Sequence, residues 1–185
     1  EYCCTELFPD TPYKFRLGLR VTQAGKLLAA KTSWGPIRNI ATELVPMLML
    51  SPNACGPNLT LSNNNLTVKN TVNKKWNAVR AATGFTKGVH SWSVHIDKCV
   101  SKNIFVGVVG AGASVNNYVG SDRYGWGYLA NKAVWHNKGK SRSYGELFRE
   151  GDVVKVTLNL DEGTLSFARN GVDLGIGAEG VGECK

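Results

Sequence analysis

The chain has 185 residues and a net charge of +8, from 22 Lys and Arg against 14 Asp and Glu, and 43% of it is hydrophobic. A domain of about 150 residues buries roughly 70% of the surface its unfolded chain exposes, so this length holds one domain, or one domain plus an appendage, without needing a disulfide or a metal. Nothing approaches the run of roughly 18 apolar residues that a membrane-spanning helix requires, since Leu44–Leu50 is short and broken by Pro46.

In chain order, Tyr13–Val21 alternates apolar and basic residues, as a strand with one buried and one wet face does. Thr22-Gln-Ala-Gly25 is a turn signal leading into Lys26–Thr32, which makes a hairpin. Ile37–Met49 has the composition of a short helix interrupted by Pro46. From residue 59 onward strand signals come at short spacing. Leu59–Leu61 and Leu66–Val68 flank the turn Asn63-Asn64-Asn65, followed by Asn77–Ala82, Ser91–Ile96, Ile104–Val109, Gly127–Leu129 and Ala133–His136. The series ends with Val153–Leu160, Thr164–Arg169 and Val172–Leu174. Val154, Val156, Leu158 and Leu160 point one way, Lys155, Thr157 and Asn159 the other, and Leu165 and Phe167 answer from the next strand. Asn170-Gly171 between alternating segments is the strongest short-range hairpin signal, because a type I′ turn needs positive φ at both positions. Many short alternating strands with almost no helix predict an all-β, two-sheet antiparallel sandwich, with Trp92, Trp126 and Trp135 in its core.

Several kinds of chemistry are weighed and set aside. Cys3, Cys4, Cys55, Cys99 and Cys184 form an odd set with no Cys-x-x-Cys spacing. They read as free thiols of a reducing compartment, hence a cytoplasmic protein. The opening Glu1, with no basic head and apolar run behind it, reads as a fragment of something longer. Glu150 and Asp152 have the two-residue spacing of a glycosidase pair, but Arg149 and Gly151 mark a turn leading into a strand. His90 and His95, five apart on a strand, face opposite ways and cannot share a metal, and His136 reads as structural. Gly107, Gly110 and Gly112 have no helix behind them to make a phosphate cradle. No catalytic residue, metal or cofactor is expected.

The residues then converge on a family resemblance. Gly88-Val-His-Ser-Trp-Ser-Val94, Val106-Gly-Val108, Gly125-Trp-Gly-Tyr128 and Val134-Trp-His-Asn137 resemble successive segments of the SPRY domain. Phe148–Asp152 and Leu165–Gly175 resemble its closing hairpins, and order and spacing together carry the match over residues 57–181. Leu59–Leu66, Asn103–Val108 and Tyr124–Trp126 are most similar to SPRY domains embedded in very large HECT-type ubiquitin ligases. The resemblance implies a bent, concanavalin A-like jelly-roll sandwich at residues 57–185, with partner-binding loops at one end. Residues 1–56 flank it, as an edge hairpin or part of a neighbouring region. Two departures stand out: Ser93 replaces the family's usual acidic residue, and its proline-containing last strand is missing from this sequence.

Recognition is the function left. Asn116, Asn117, Tyr118, Asp122, Arg123 and Tyr124 occupy the loop before Trp126, and Lys74, Lys75 and Trp76 a second loop able to reach the same rim. Tyr and Arg are residue types that dominate interface energetics. The plain alternative is that Tyr118 and Tyr124 only pack over the end of the sandwich. Lys132, Lys138, Lys140, Arg142 and Arg149 face only Glu146, which is either a solvated basic loop or a patch that steers acidic partners. The expected partner is a protein or peptide of acidic or polar character, recruited within a ubiquitin ligase. Nucleic acid is disfavoured, because the basic residues do not interleave with exposed aromatics. The competing readings are a structural element within a large host and a lectin-like carbohydrate binder, for which Asn116, Asn117 and Asp122 are the only approach to a calcium loop.

Overall fold

The computed structural model describes short strands between residues 12 and 41 and the continuous stretch 48–182. The chain divides into two compact units, residues 1–47 and 48–185. The first unit contains β1 (Pro12–Phe15), β2 (Gly18–Leu19), β3 (Thr22–Gln23), β4 (Lys26–Leu27), β5 (Ser33–Trp34) and β6 (Arg38–Ala41). They nest antiparallel as β1 with β6, β2 with β5 and β3 with β4. The expected hairpin is there, closed by Gln23 opposite Lys26. Of the expected long first strand, β1 and β2 are described, and residues 16, 17, 20 and 21 lie outside the described residues. The helix expected from Ile37 is replaced at residues 38–41 by β6, whose backbone groups are taken by β1. Residues 42–47 lie outside the described residues.

The second unit opens with β7 (Leu50–Cys55), β8 (Leu59–Ser62), β9 (Thr67–Asn70) and β10 (Val79–Ala81). β7 pairs with β10, so residues 48–56 group with this unit rather than with the flanking segment in which the sequence placed them. The β8–β9 hairpin turns through Asn63, Asn64 and Asn65, all with φ between 51° and 62°. Asn tolerates this left-handed region better than most residues because its short side chain can hydrogen-bond locally.

Two four-stranded antiparallel sheets follow. One runs in the order β11 (Val89–His95), β16 (Val153–Asn159), β17 (Thr164–Arg169), β18 (Val172–Glu179). The other runs β12 (Phe105–Val109), β13 (Gly125–Leu129), β14 (Ala133–His136), β15 (Gly139–Ser143). No helix occurs among the described residues. The core lies between the sheets: Val154, Val156, Leu158, Leu165 and Phe167 from one meet Val106, Trp126, Tyr128 and Val134 from the other. The predicted facing of β16 and β17 therefore holds. Phe167, Tyr128, Tyr144 and Phe148 join edge-on or tilted, with centroids 5.0 to 5.9 Å apart, spacings at which aromatic pairs add to simple burial. Burial pushes the Tyr128 and Tyr144 hydroxyls up to about 12, and they donate to the carbonyls of Glu146 and Gly175.

Of the three tryptophans assigned to the core, Trp126 is buried in it, and Trp92 points inward from the edge strand β11 but stays part-exposed. Trp135 corrects the expectation. Its neighbours Val134 and His136 face inward, Val134 buried in the core and His136 stacked 4.5 Å from Trp126, so alternation turns Trp135 to the opposite face of the sheet.

The β16–β17 end is fastened by buried Asp152. Its carboxylate accepts from Arg169 Nε (2.9 Å) and Nη2, Asn170 Nδ2 and the Arg149 backbone N–H. The Arg169 guanidinium leads the causes that hold this carboxyl down at about 2. Asp152 is thus consumed by structure, and no acid–base pair with Glu150 exists.

Candidate recognition surface

The outer face of the β12–β15 sheet has an unusual surface. Register puts Gly107 opposite Gly127 and Gly127 opposite Trp135, with Phe105 one pair further along on the same face. Bare glycine lets the β12–β13 loop lie directly on the strands. A Cβ at Gly127 would meet the Val119 carbonyl oxygen at 2.4 Å, and one at Gly120, whose φ is +92°, would meet the Trp135 carbonyl oxygen at 2.5 Å. Tyr118 is thereby laid over the sheet, stacked on Phe105 (4.9 Å, 15°) and edge-on to Trp135 (5.9 Å).

Trp76 joins the same cluster, 5.5 Å from Tyr118 and 5.4 Å from Phe105. With 37% of its surface open it is among the exposed large apolar residues. Tyr118, Phe105 and Trp135 are each part-exposed. The structure therefore joins the two loops singled out in the sequence, but on the face of a sheet rather than at the end of the sandwich. Trp135 Nε1 is buried in this cluster without an acceptor among the described residues.

The rest of the predicted loop divides between support and display. Asp122 supports: its carboxylate accepts from the N–H groups of Ser114 (3.0 Å) and Tyr124 (2.9 Å), and its carbonyl accepts from Asn137 N–H. Asn117 Oδ1 accepts from the Tyr118 N–H. Tyr124 leans on Gly112, where a Cβ would meet its ring at 3.1 Å. Arg123 donates to the Tyr124 hydroxyl (2.7 Å), with its guanidinium 4.8 Å from that ring. Asn116, Arg123, Lys74 and Lys75 are exposed. Tyr118 and Tyr124 thus pack and face water at once.

Sequence reasoning did not find Lys140 and Phe105 as parts of this surface. Lys140 is opposite Trp135 in the β14–β15 ladder, so its side chain emerges on the same outer face. Its ammonium donates to Ser143 Oγ (2.9 Å). The β14–β15 turn is tied to the β12–β13 loop, because the Asn137 and Lys138 N–H groups donate to the carbonyls of Asp122 and Gly120 (both 3.1 Å). Lys74, Lys132 and Lys138 all hold left-handed backbone, with φ of 57°, 72° and 71°. The basic run splits up: Lys132 pairs with Glu146 at 3.3 Å, and Arg142 reaches across to the Ile176 carbonyl.

Elsewhere little chemistry is assembled. No group of three His, Cys, Asp or Glu able to hold a metal occurs among the described residues, and Cys55 and Cys99 carry free thiols. Burial raises the Cys99 thiol above its ordinary range, against thiolate formation. His90 stacks on Phe85 (3.7 Å) with Nε2 2.8 Å from the Lys87 carbonyl, and His136 Nδ1 is 2.8 Å from the Gly125 carbonyl. No described helix is long and apolar enough to cross a membrane.

A two-sheet antiparallel sandwich that displays aromatics and lysines on one face has the build of a binding module. Residues 89–184, more than half of the chain, match the SPRY domain, and the chain belongs to that family, whose members are generally non-catalytic protein-interaction modules. It is 31% identical over 147 residues to F-box/SPRY domain-containing protein 1 of Drosophila willistoni, covering 73% of this chain and 58% of that protein. The protein of the same description from Drosophila mojavensis is 30% identical over 143 residues, with 71% and 57% covered. The chain thus spans less than two thirds of the length of these curated relatives. Among solved structures, the SPRY domain of human HERC1 superposes with a TM-score of 0.62 at 24% identity, covering 71% of this chain and 82% of that one. The TRIM65 PSpry domain gives 0.51 at 21% identity, covering 68% and 74%. Both share the fold.

Proposed function

We propose that this domain recognises a short acidic or polar peptide segment of a protein partner through the loop Asn116–Tyr124 together with Lys74–Trp76. The observation that carries the reading is the contact of Trp76 with Tyr118, because it joins two sequence-distant loops into one part-exposed aromatic patch flanked by cations. Aromatic residues supply large contact area at modest entropic cost, and a basic surface favours encounter with acidic partners. We assign the domain to partner or substrate recruitment within a ubiquitin ligase. Support for that host role comes from relatives that carry F-box and SPRY in one chain and from the fold it shares with the HERC1 SPRY domain. The host is further read as a HECT-type ligase on the sequence resemblance at residues 59–66, 103–108 and 124–126.

The test is binding of the wild type and of a Tyr118→Ala/Arg123→Ala variant to a partner recovered from lysate and identified. The double variant should lose about 2 kcal/mol or more of binding energy, the usual scale of hot-spot truncation, with its melting temperature within a few degrees of wild type. Full affinity in a folded double variant would place recognition elsewhere.

A further inference from the structure

The outer face of the β12–β15 sheet holds a continuous strip that neither loop alone defines. It begins at Trp76, preceded by Lys74 and Lys75, crosses Phe105 and Tyr118, follows the Val119–Gly120 backbone that covers Gly127 to Trp135, and ends at Lys140 on the edge strand β15. The ion pairs recorded among the described residues are Lys132–Glu146 and Asp152–Arg169, so the lysines at the two ends are engaged in neither. The Asp122 carboxylate, in the loop that carries Tyr118, is occupied by backbone N–H groups. The middle is aromatic and part-exposed, and both ends are cationic.

We infer that this strip binds an extended peptide running across the strands, with one acidic residue at Lys74/Lys75, a second at Lys140 and an apolar side chain between them on Trp76 and Tyr118. The inference rests on the recognition reading above and adds a ligand pattern to it. Three strand-to-strand steps of about 4.8 Å separate β12 from β15, roughly 14 Å, which an extended chain covers in about four residues at about 3.3 Å each. Trp76 extends the strip beyond β12, and lysine stems have reach of their own, so the two acids fall about four to six residues apart. Charge complementarity selects a doubly acidic peptide over a neutral one, and the aromatic middle selects it over a bare polyanion. An acidic residue contacts each end separately, so the two ends contribute independently.

The experiment uses the whole chain and fluorescein-labelled peptides that carry two Glu separated by one to nine positions around a central Leu, measured by fluorescence polarisation. Affinity should peak at a separation of four to six and drop about tenfold or more when either Glu becomes Gln, as the loss of a paired interface charge does. Lys140→Glu should abolish the spacing optimum, and a peptide with Lys in place of the facing Glu should restore it, which excludes misfolding as the cause. Lys87→Glu, outside the strip, should leave the profile unchanged. A flat dependence on spacing, equal loss in Lys87→Glu and Lys140→Glu, or equal competition by polyglutamate lacking the Leu would each overturn the inference. If spacing proves irrelevant while Tyr118→Ala/Arg123→Ala still loses the lysate partner, the recognition reading survives and only this ligand pattern fails.

Discussion

The two sheets of the sandwich share a core but present opposite kinds of outer surface. On the β11–β16–β17–β18 sheet the outward residues include Ser91, Ser93, Lys155, Thr157 and Ser166, with Val89 and Ile176 exposed among them, and the Ser91 and Thr157 hydroxyls lie 2.9 Å apart across the ladder. That face is finished by water. On the β12–β15 sheet the outward residues include Phe105, Gly107, Gly127, Leu129, Trp135 and Lys140, and the chain finishes the face itself by laying Val119 and Tyr118 on it. A wet face tolerates sequence change. A face covered by the chain's own loop puts exposure and packing on the same residues, and Tyr118 is at once stacked on Phe105 and open to water.

That contrast can be broken in graded ways. Phe167→Ala empties the shared core and should cost about 3–5 kcal/mol, read as one cooperative loss of both sheets in chemical denaturation. Asp152→Ala leaves Arg169 without its carboxylate and should cost about 3 kcal/mol, the lower end for breaking a buried pair. Gly127→Val drives a side chain into the Val119 carbonyl and should cost about 1–3 kcal/mol, as overpacking does. Hydrogen exchange should then speed up across residues 114–121 while β16 and β17 keep their protection. Asp152 also predicts the acid limb. Its carboxyl titrates at about 2 in the folded chain and at about 3.9 when unfolded. Its contribution is therefore complete above about pH 4 and is lost as pH falls toward 2, and an Asp152→Asn variant should lack that part of the acid-induced drop in melting temperature. Ser91→Ala should move stability by at most about 0.5 kcal/mol, as befits a wet face.

Legibility followed the same divide. β16 and β17 could be read almost residue by residue because one face is apolar and the other polar, and Asn170 and Gly171 have the positive φ values (50° and 82°) their dipeptide announces. β13 is buried on both faces, so its alternation vanishes, and nothing in Val134-Trp135 says which of two apolar neighbours turns inward. β15, Gly-Lys-Ser-Arg-Ser, is exposed throughout and has no apolar residue to mark it. β7 contains Pro52, which argues against a strand in sequence and is tolerated on a strand that pairs on one side only. Lys140 escaped notice as part of the surface because its place depends on register. A shift between Val134 and Trp135 sets it beside Trp135 and sends Arg142 to the other face. For the recognition loop, Tyr and Arg drew attention by type, whereas the glycines that seat it show their purpose only when the backbone is in place.

Lys74 and Lys138 stand at left-handed turns where glycine would sit without strain. For most L-residues that conformation is unfavourable by roughly 1–2 kcal/mol, so the most stable sequence for this backbone is not the one the chain carries. Any directed evolution that rewards thermal resistance alone would drift toward glycine at both positions and remove two exposed cations. The resulting domain would melt later and carry two fewer positive charges on its surface, so stability and surface charge are opposed at these two turns.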